Sequence, residues 1–228
     1  MNTLAIVIAC GKEEEIARGT ETAFLTVGNL PVLAHSLRTL QRAQSVDGFI
    51  VACAKDRIDS TMQVAKRFGC TKLRGIVTGG STRISTLRAA LAKLPEEVPI
   101  VIVHEASRPF LTEGVLQETI KAAKRYGCAI AAHRVPDAAK VAPSGLKAME
   151  TLDRNTVWVA QSPQVFRIEV LEKMLNPKNQ KVKLIDDASE FIGKPSEVHL
   201  VEAGSKNMKI RTADDLAIAT ALFSANLV

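Results

Sequence analysis

Glu105 and Arg108 stand three residues apart in His104-Glu105-Ala106-Ser107-Arg108-Pro109, directly after the apolar run Ile100 to Val103. If that run is a buried parallel strand, the pair lies just past its carboxyl end, where open α/β sheets collect ligands. There Glu105 could hold a divalent cation that bridges phosphates, and Arg108 could clamp an anion. Pro109 fixes its own backbone and biases Arg108 towards an extended conformation. The same residues would equally suit a strand end whose Glu and Arg simply face water, and the pattern alone leaves both readings open. Gly79-Gly80, with Thr82 and Arg83 opening a helical stretch, is a second candidate, because helix N-terminal amides favour anions. Arg154, Lys209 and Arg211 are further single bases in polar loops.

The elements needed to position these residues are legible in the hydrophobic spacing. Strand-like runs at Leu4 to Ile8, Phe49 to Ala54, Leu73 to Val77, Ile100 to Val103 and Cys128 to His133 alternate with helical stretches. The helices are Pro31 to Ala43, Ile58 to Phe68, Thr82 to Leu94 and Gly114 to Tyr126. Such alternation predicts βαβ units and a mostly parallel sheet. Three loops, Ala9 to Thr22, Gly79 to Arg83 and His104 to Pro109, then follow strand carboxyl ends and can share one crevice. The alternation stops at Val135, where two short strand-like pieces flank Pro143-Ser144-Gly145 and read as a hairpin arm, a lid or a dimer contact. Apolar character returns over Val157 to Phe166, followed by a helix at Arg167 to Leu175 and a basic connector, Pro177 to Lys183. Ile185 to Ser189 precedes a short helix, Val198 to Val201 and Asn207 to Ile210 read as strands, and Thr212 caps a last helix, Ala213 to Phe223.

Composition narrows the chemistry. The chain has 228 residues, 46% of them hydrophobic, which fits one α/β domain or two small ones. A formal charge of +6 and a pI near 9.2 favour a small anionic ligand. Basic residues do not alternate with aromatics, which are only 4%, so nucleic acid is not expected. Cys10, Cys53, Cys70 and Cys128 are far apart and form no metal or disulfide pattern. With no apolar run near a membrane span and no signal-peptide pattern, the expectation is a cytoplasmic protein.

Taken together, the pieces resemble the 2-C-methyl-D-erythritol 4-phosphate cytidylyltransferase family (IspD-like) of the non-mevalonate isoprenoid pathway. The resemblance rests on GNLPVLAHSL (Gly28 to Leu37), GGSTRISTL (Gly79 to Leu87), VHEASRPF (Val103 to Phe110) and LDRNTVWVAQSPQVF (Leu152 to Phe166). IDDAS (Ile185 to Ser189) and NMKIRTADDLAIA (Asn207 to Ala219) follow in the same order, so it spans essentially the whole chain. It implies a Rossmann-like three-layer nucleotidyltransferase fold with a mostly parallel twisted sheet, residues 1–228 forming one domain. It also implies a protruding hairpin arm, 135–156, that makes a homodimer. The implied enzyme uses CTP and Mg2+ to join CMP to a sugar-alcohol phosphate with release of pyrophosphate. The cytoplasm is the implied location, or a plastid were the source a plant and its transit peptide absent.

Residue by residue, the resemblance assigns nucleotide binding to Ala9, Cys10, Gly11, Lys12, Gly80, Arg83, Thr86, Glu105 and Ala106. Glu105 stands where the family has aspartate and is the implied metal ligand. Arg108, Arg154, Ser162 and Lys209 match acceptor positions, with Ser162 in place of a threonine. Arg154, reaching from the partner's arm, and Lys209 match the bases that hold the acceptor phosphate for attack.

The first loop departs from the family, which reads AAGxGxRM and then PKQ(Y/F)L. This chain reads ACGKEEEI (Ala9 to Ile16) and ETAFL (Glu21 to Leu25), so Glu15 and Thr22 occupy the places of the arginine and lysine that stabilise the transition state. Glu13 replaces a glycine, and Ala138 and Ile185 stand where threonines are usual. Loss of one preorganised electrostatic contact typically slows a reaction about 100- to 1000-fold. Lys12 or Arg18 would have to compensate. The reading is therefore a cytidylyltransferase; its alternatives are an enzyme for another sugar-alcohol phosphate, and an impaired or non-enzymatic member, which Glu13, Glu14, Glu15 and Thr22 favour.

Overall fold

Strand β1 (Thr3–Ala9) is buried along its whole length, as only an interior strand covered on both faces can be. It leads into a single 3-10 turn (Lys12–Glu14) and a small hairpin of β2 (Glu15–Ala17) and β3 (Thr20–Glu21). A second short hairpin pairs β4 (Thr26–Val27) with β5 (Leu30–Pro31). Both are too short and polar to show a strand period. Helix α1 (Val32–Arg42) buries Leu33, Leu37 and Leu40 at helical spacing. Then come β6 (Gly48–Cys53), α2 (Ile58–Arg67), β7 (Leu73–Thr78), α3 (Arg83–Leu91), β8 (Ile100–Glu105), α4 (Glu113–Tyr126) and β9 (Cys128–Arg134). The arm is a two-stranded sheet of β10 (Lys140–Val141) and β11 (Glu150–Thr151). The chain returns through β12 (Trp158–Arg167), α5 (Ile168–Leu175), β13 (Val198–Glu202) and α6 (Ala213–Ser224). This computed structural model describes residues 2–95, 97–143, 145–175 and 198–227.

The seven-stranded sheet has the order β13-β9-β12-β8-β1-β6-β7 and is parallel except for β12, which runs against β8 and β9. Its two faces carry separate cores. Ala5, Val7 and Ala9 of β1 pack with Leu37 of α1, Ala65 of α2 and Leu116 of α4. Leu4, Ile6 and Ile8 point the other way, to Leu87 of α3 and Leu171 of α5. The result is three layers with a Rossmann-like α/β arrangement. A third cluster seats Ala219 of α6 against Val27, Val32, Phe110 and Ile210.

One expectation needs correction. Asn207 to Ile210 is not a strand; side chains hold it as a loop instead. Asn207 Nδ2 donates to Gln161 Oε1 and the Ser162 carbonyl, and the Ile210 amide donates to the Ser107 carbonyl. Gly79 and Gly80 make room for neighbouring side chains: a Cβ on Gly79 would collide with Cys10 Sγ, and one on Gly80 with Ser85 Oγ. Ser85 closes a capping box with Thr82 at the start of α3, so the glycines let the chain fold tightly into that helix. The expected N-cap at Thr212 is present, paired with Asp215. The connector at Pro177 to Lys183, the short helix after Ile185 to Ser189, and Ile185 itself lie outside the described residues.

Candidate functional site

β8 delivers the site. Its last residue, Glu105, lies in register with Ile8 of β1, and the chain turns at once, the Ala106 amide donating to the Ile8 carbonyl. Arg108 follows one turn later with its amide on the Glu105 carbonyl. On the other side, the pairing of β12 with β9 shifts between Ala160 and Gln164, a bulge of the kind that re-aims side chains. There Ser162 Oγ accepts the Glu105 amide at 3.0 Å and lies 3.1 Å from His104 Nδ1. Because Ser36 Oγ spends its own proton elsewhere, it accepts from His104 Nε2–H, 3.2 Å away, and Nδ1 is left to accept from the Ser162 hydroxyl. Ser36 Oγ in turn donates to the Arg108 carbonyl at 3.4 Å. His104 is fully buried, and burial holds its pKa down to about 4, so it is a neutral relay that sets the strand end.

Onto this frame the fold assembles a charge cluster. Arg108 Nε donates to Glu105 Oε2 at 2.7 Å, and its Nη1 to the Asn207 carbonyl at 2.9 Å. Lys209 Nζ lies 2.8 Å from Glu105 Oε1, and Arg83 Nη1, at the start of α3, 3.7 Å from the same oxygen. Burial alone would raise the Glu105 carboxyl, but Arg108, Lys209 and Arg83 outweigh it and hold it well below the usual carboxylate range. The cluster also contains a second carboxylate. Glu14, only 1% exposed, places Oε1 3.1 Å from Lys209 Nζ and takes the amide and hydroxyl of Ser107, both at 3.1 Å. Burial raises the Glu14 carboxyl, and Lys209 opposes that rise. Among the described residues three cations face two carboxylates, a balance that suits an anion.

Beside the cluster is a cavity of about 210 Å³ lined by Cys10, Gly11, Lys12, Gly80, Arg83 and Thr86, with Glu14 also on its wall. These six are among the nine nucleotide-side candidates of the sequence. Gly11 takes φ 100, a backbone conformation that favours glycine, and so turns the loop away from the end of β1. Thr86 Oγ1 accepts the Gly80 amide at 3.0 Å. Ala9 and Ala106 are buried beneath. Burial pushes the Cys10 thiol up to about 11, which keeps it protonated and unsuited to nucleophilic work. A larger cavity of about 580 Å³, bordered by His35, Arg38, Phe110 and Phe223, contains none of the candidate residues.

The remaining candidates stand apart from this cluster. Glu15 turns back on its own hairpin, accepting the Gly19 amide at 3.1 Å. Thr22 is buried with its hydroxyl 3.5 Å from the Ile210 carbonyl, next to Lys209 in the chain. Arg154 is exposed on the arm, its described bond being to the Pro136 carbonyl. Arg18 is exposed in the β2–β3 turn. Ser162 spends its hydroxyl inside the frame. His104, Ser107 and Asn207 carry roles here that no motif in the sequence assigns them, and Glu14 reads in the sequence only as loop charge. The polar residues of the otherwise apolar Val157 to Phe166 run were the one signal for the frame.

Residues 3–225 match the profile of the family described as IspD, 2-C-methyl-D-erythritol 4-phosphate cytidylyltransferase. A protein of that name from Syntrophus aciditrophicus is 35% identical over 222 residues, covering 96% of this chain and 94% of its own. One from Geobacillus kaustophilus is 33% identical over 230 residues, covering 100% and 99%. Among solved structures, the 4-diphosphocytidyl-2C-methyl-D-erythritol synthase of Anaerococcus prevotii superposes with a TM-score of 0.86 at 26% identity, covering 98% of this chain and 96% of the other.

Proposed function

Because the chain belongs to the 2-C-methyl-D-erythritol 4-phosphate cytidylyltransferase family, we propose that it transfers CMP from CTP to 2-C-methyl-D-erythritol 4-phosphate. A phosphate oxygen of the acceptor attacks the α-phosphorus of CTP in line. The new P–O bond forms as the bond to the β-phosphate oxygen breaks, and pyrophosphate leaves with the electron pair. The protein contributes positioning and positive charge for the oxyanion that develops. The observation that carries this reading is the convergence of Arg83, Arg108 and Lys209 on Glu105 at the end of β8, beside the cavity of the first loop.

In this reading the loop at Ala9 to Lys12, with Gly80, Arg83, Thr86 and Ala106, takes the nucleotide. Lys209 and Arg108 take the acceptor phosphate, and Ser162 acts through Glu105 and His104. Among the described residues no group of three or more His, Cys, Asp or Glu could hold a metal by itself. Mg2+ needs only one or two carboxylates when phosphates complete its shell, and Glu105 is ionised, so the donor set fits an ion that arrives with the triphosphate. Glu105 would hold it, and it would neutralise charge on the phosphates. The exposed arm and Arg154 support a homodimer in which the arm reaches a partner's site, residues 1–228 otherwise making one domain. Among the described residues no helix is long and apolar enough to cross a membrane, in keeping with a cytoplasmic enzyme. The test is pyrophosphate release from CTP, Mg2+ and methylerythritol phosphate by purified protein. Release dependent on all three is expected, and none at high protein concentration overturns the reading.

A further inference from the structure

Glu14 is where this crevice departs most from a plain cation site. Its two carboxylate oxygens receive three donors: the Ser107 amide, the Ser107 hydroxyl and the Lys209 ammonium, each at 3.1 Å. The amide and the ammonium can only donate, so Glu14 fills the acceptor role there. Two oxygens on one centre, held by an amide, a hydroxyl and a lysine, are also how a protein holds a phosphate group. The carboxylate therefore stands where a phosphate would bind. It also hides the subsite, since the side chain of Lys209 is only 4% exposed. The adjoining cavity is correspondingly small, about 210 Å³ with Glu14 on its wall, against the 300 Å³ or more usual for ligand pockets. In the backbone, Glu14 follows Gly11 at φ 100 and closes the short 3-10 turn over Lys12–Glu14, so the loop that carries it is a single turn long.

We propose that the Ser107 amide, the Ser107 hydroxyl and the Lys209 ammonium form a phosphate subsite that the chain's own Glu14 occupies until a substrate phosphate displaces it. The identity of the arriving phosphate rests on the cytidylyltransferase reading; the self-occupied subsite does not. Displacement parts Lys209 from one of the two carboxylates described beside it, opens the loop over Lys12–Glu14 and lets the ammonium face the ligand. Glu14 is thus a positioning residue that sets when Lys209 is available.

Inorganic phosphate, titrated calorimetrically into the full chain, tests this. Removing a unit charge a few ångströms from the ligand should tighten binding by about tenfold or more, even in a partly solvated crevice. Glu14→Gln keeps the shape and can still accept from Ser107, so it should show that gain. Adding Lys209→Met should abolish it. Equal or weaker phosphate binding by folded Glu14→Gln overturns the proposal. Should that variant not fold, hydrogen exchange on the unmodified chain decides instead: amides of residues 12–17 must exchange faster with saturating phosphate, and unchanged or slower exchange overturns the proposal. Tighter phosphate binding without pyrophosphate release in any assay would remove the cytidylyltransferase reading and leave the subsite standing. Normal turnover with no phosphate gain would do the reverse.

Discussion

The ammonium of Lys209 lies 2.8 Å from Oε1 of Glu105, across 104 residues of chain. The bond ties the loop before α6 to the end of β8, and Arg108 strengthens it by holding the other carboxylate oxygen and the Asn207 carbonyl. Loops assigned no common element by periodicity are thereby fixed to each other by charge.

Removing one member of such a buried set leaves the others uncompensated. Glu105→Gln should destabilise the chain by about 2–4 kcal/mol, because Arg108 and Lys209 then share too little negative charge. The loss should shrink when Lys209→Met is added, since one stranded cation goes with it. Urea unfolding of the four proteins of this double-mutant cycle measures the coupling, expected at about 1–3 kcal/mol. Additive losses would show that the two side chains do not stabilise each other.

Ser162→Ala tests the frame behind the cluster. The buried hydroxyl serves the Glu105 amide and His104 Nδ1, and its loss strands both, at about 1–3 kcal/mol. In a chain of 228 residues that is roughly 2–12 °C of melting temperature. Turnover should fall as well while KM for CTP changes little, because Ser162 touches the strand end rather than the nucleotide cavity. A melting temperature unchanged within a degree would contradict this.

The fold was largely legible because its strands and helices are long and periodic: the Leu33, Leu37 and Leu40 stripe and the seven buried residues of β1 admit few other readings. The site was legible only in part. Glu105, Arg108 and Arg83 could be placed because each sits at the end of a periodic element. Lys209 stood out only as one of several single bases until the resemblance gave it a role, since Asn207 to Ile210, which read as a strand, is shaped by bonds to Gln161, Ser162 and Ser107. Glu14 could not be found at all. Counted as one of three adjacent glutamates it looks like repulsion, and only the turn at Gly11 shows that it points inward to Lys209 while Glu15 points back to Gly19.

Stability should fall on mild acidification. His104 is held neutral with a pKa of about 4, against about 6.5 for a free imidazole. Its folded pKa is depressed, so the unfolded chain binds the proton first. The stability tied to the neutral ring is complete above pH 6.5 and drains away as pH drops towards 4, by about 3 kcal/mol in all. Glu14, with its carboxyl raised by burial, works in the opposite sense in the range above the normal carboxylate pKa. Urea unfolding between pH 7.5 and 4.5 should therefore show a slope that flattens in His104→Asn. An equal slope in both proteins would locate the titrating group elsewhere.

The arm offers a test of assembly. Leu146 is fully exposed at 103% and Met149 at 70%, a pairing of apolar side chains that a soluble hairpin does not need for itself. If the arm makes the homodimer, Leu146→Asp with Met149→Asp should yield a folded monomer in sedimentation. Its turnover should fall at least about tenfold, because Arg154 loses its partner's site. An unmodified chain that sediments as a monomer would remove the arm's proposed role.

The first loop carries the strongest prediction for rate. If Glu15 and Thr22 occupy the arginine and lysine positions that the resemblance implies, neither enters the cluster here: Glu15 accepts the Gly19 amide and Thr22 rests on the Ile210 carbonyl. Placing both cations, Glu15→Arg with Thr22→Lys, supplies charge for the oxyanion while keeping Glu105, Arg108 and Lys209 themselves. Each transition-state contact of this kind is worth about 100-fold or more, so the doubly substituted protein should release pyrophosphate faster by at least that factor, chiefly in kcat. Glu15→Arg alone should be tolerated, its only described bond being to a hairpin turn. Thr22→Lys must place an ammonium where a buried threonine now sits, and should cost about 1–3 kcal/mol unless Glu14 or the triphosphate receives it. A folded double variant with no gain in pyrophosphate release would mean that the chain reaches its rate by other cations, and Lys12, on the wall of the nucleotide cavity, would be the one to remove next.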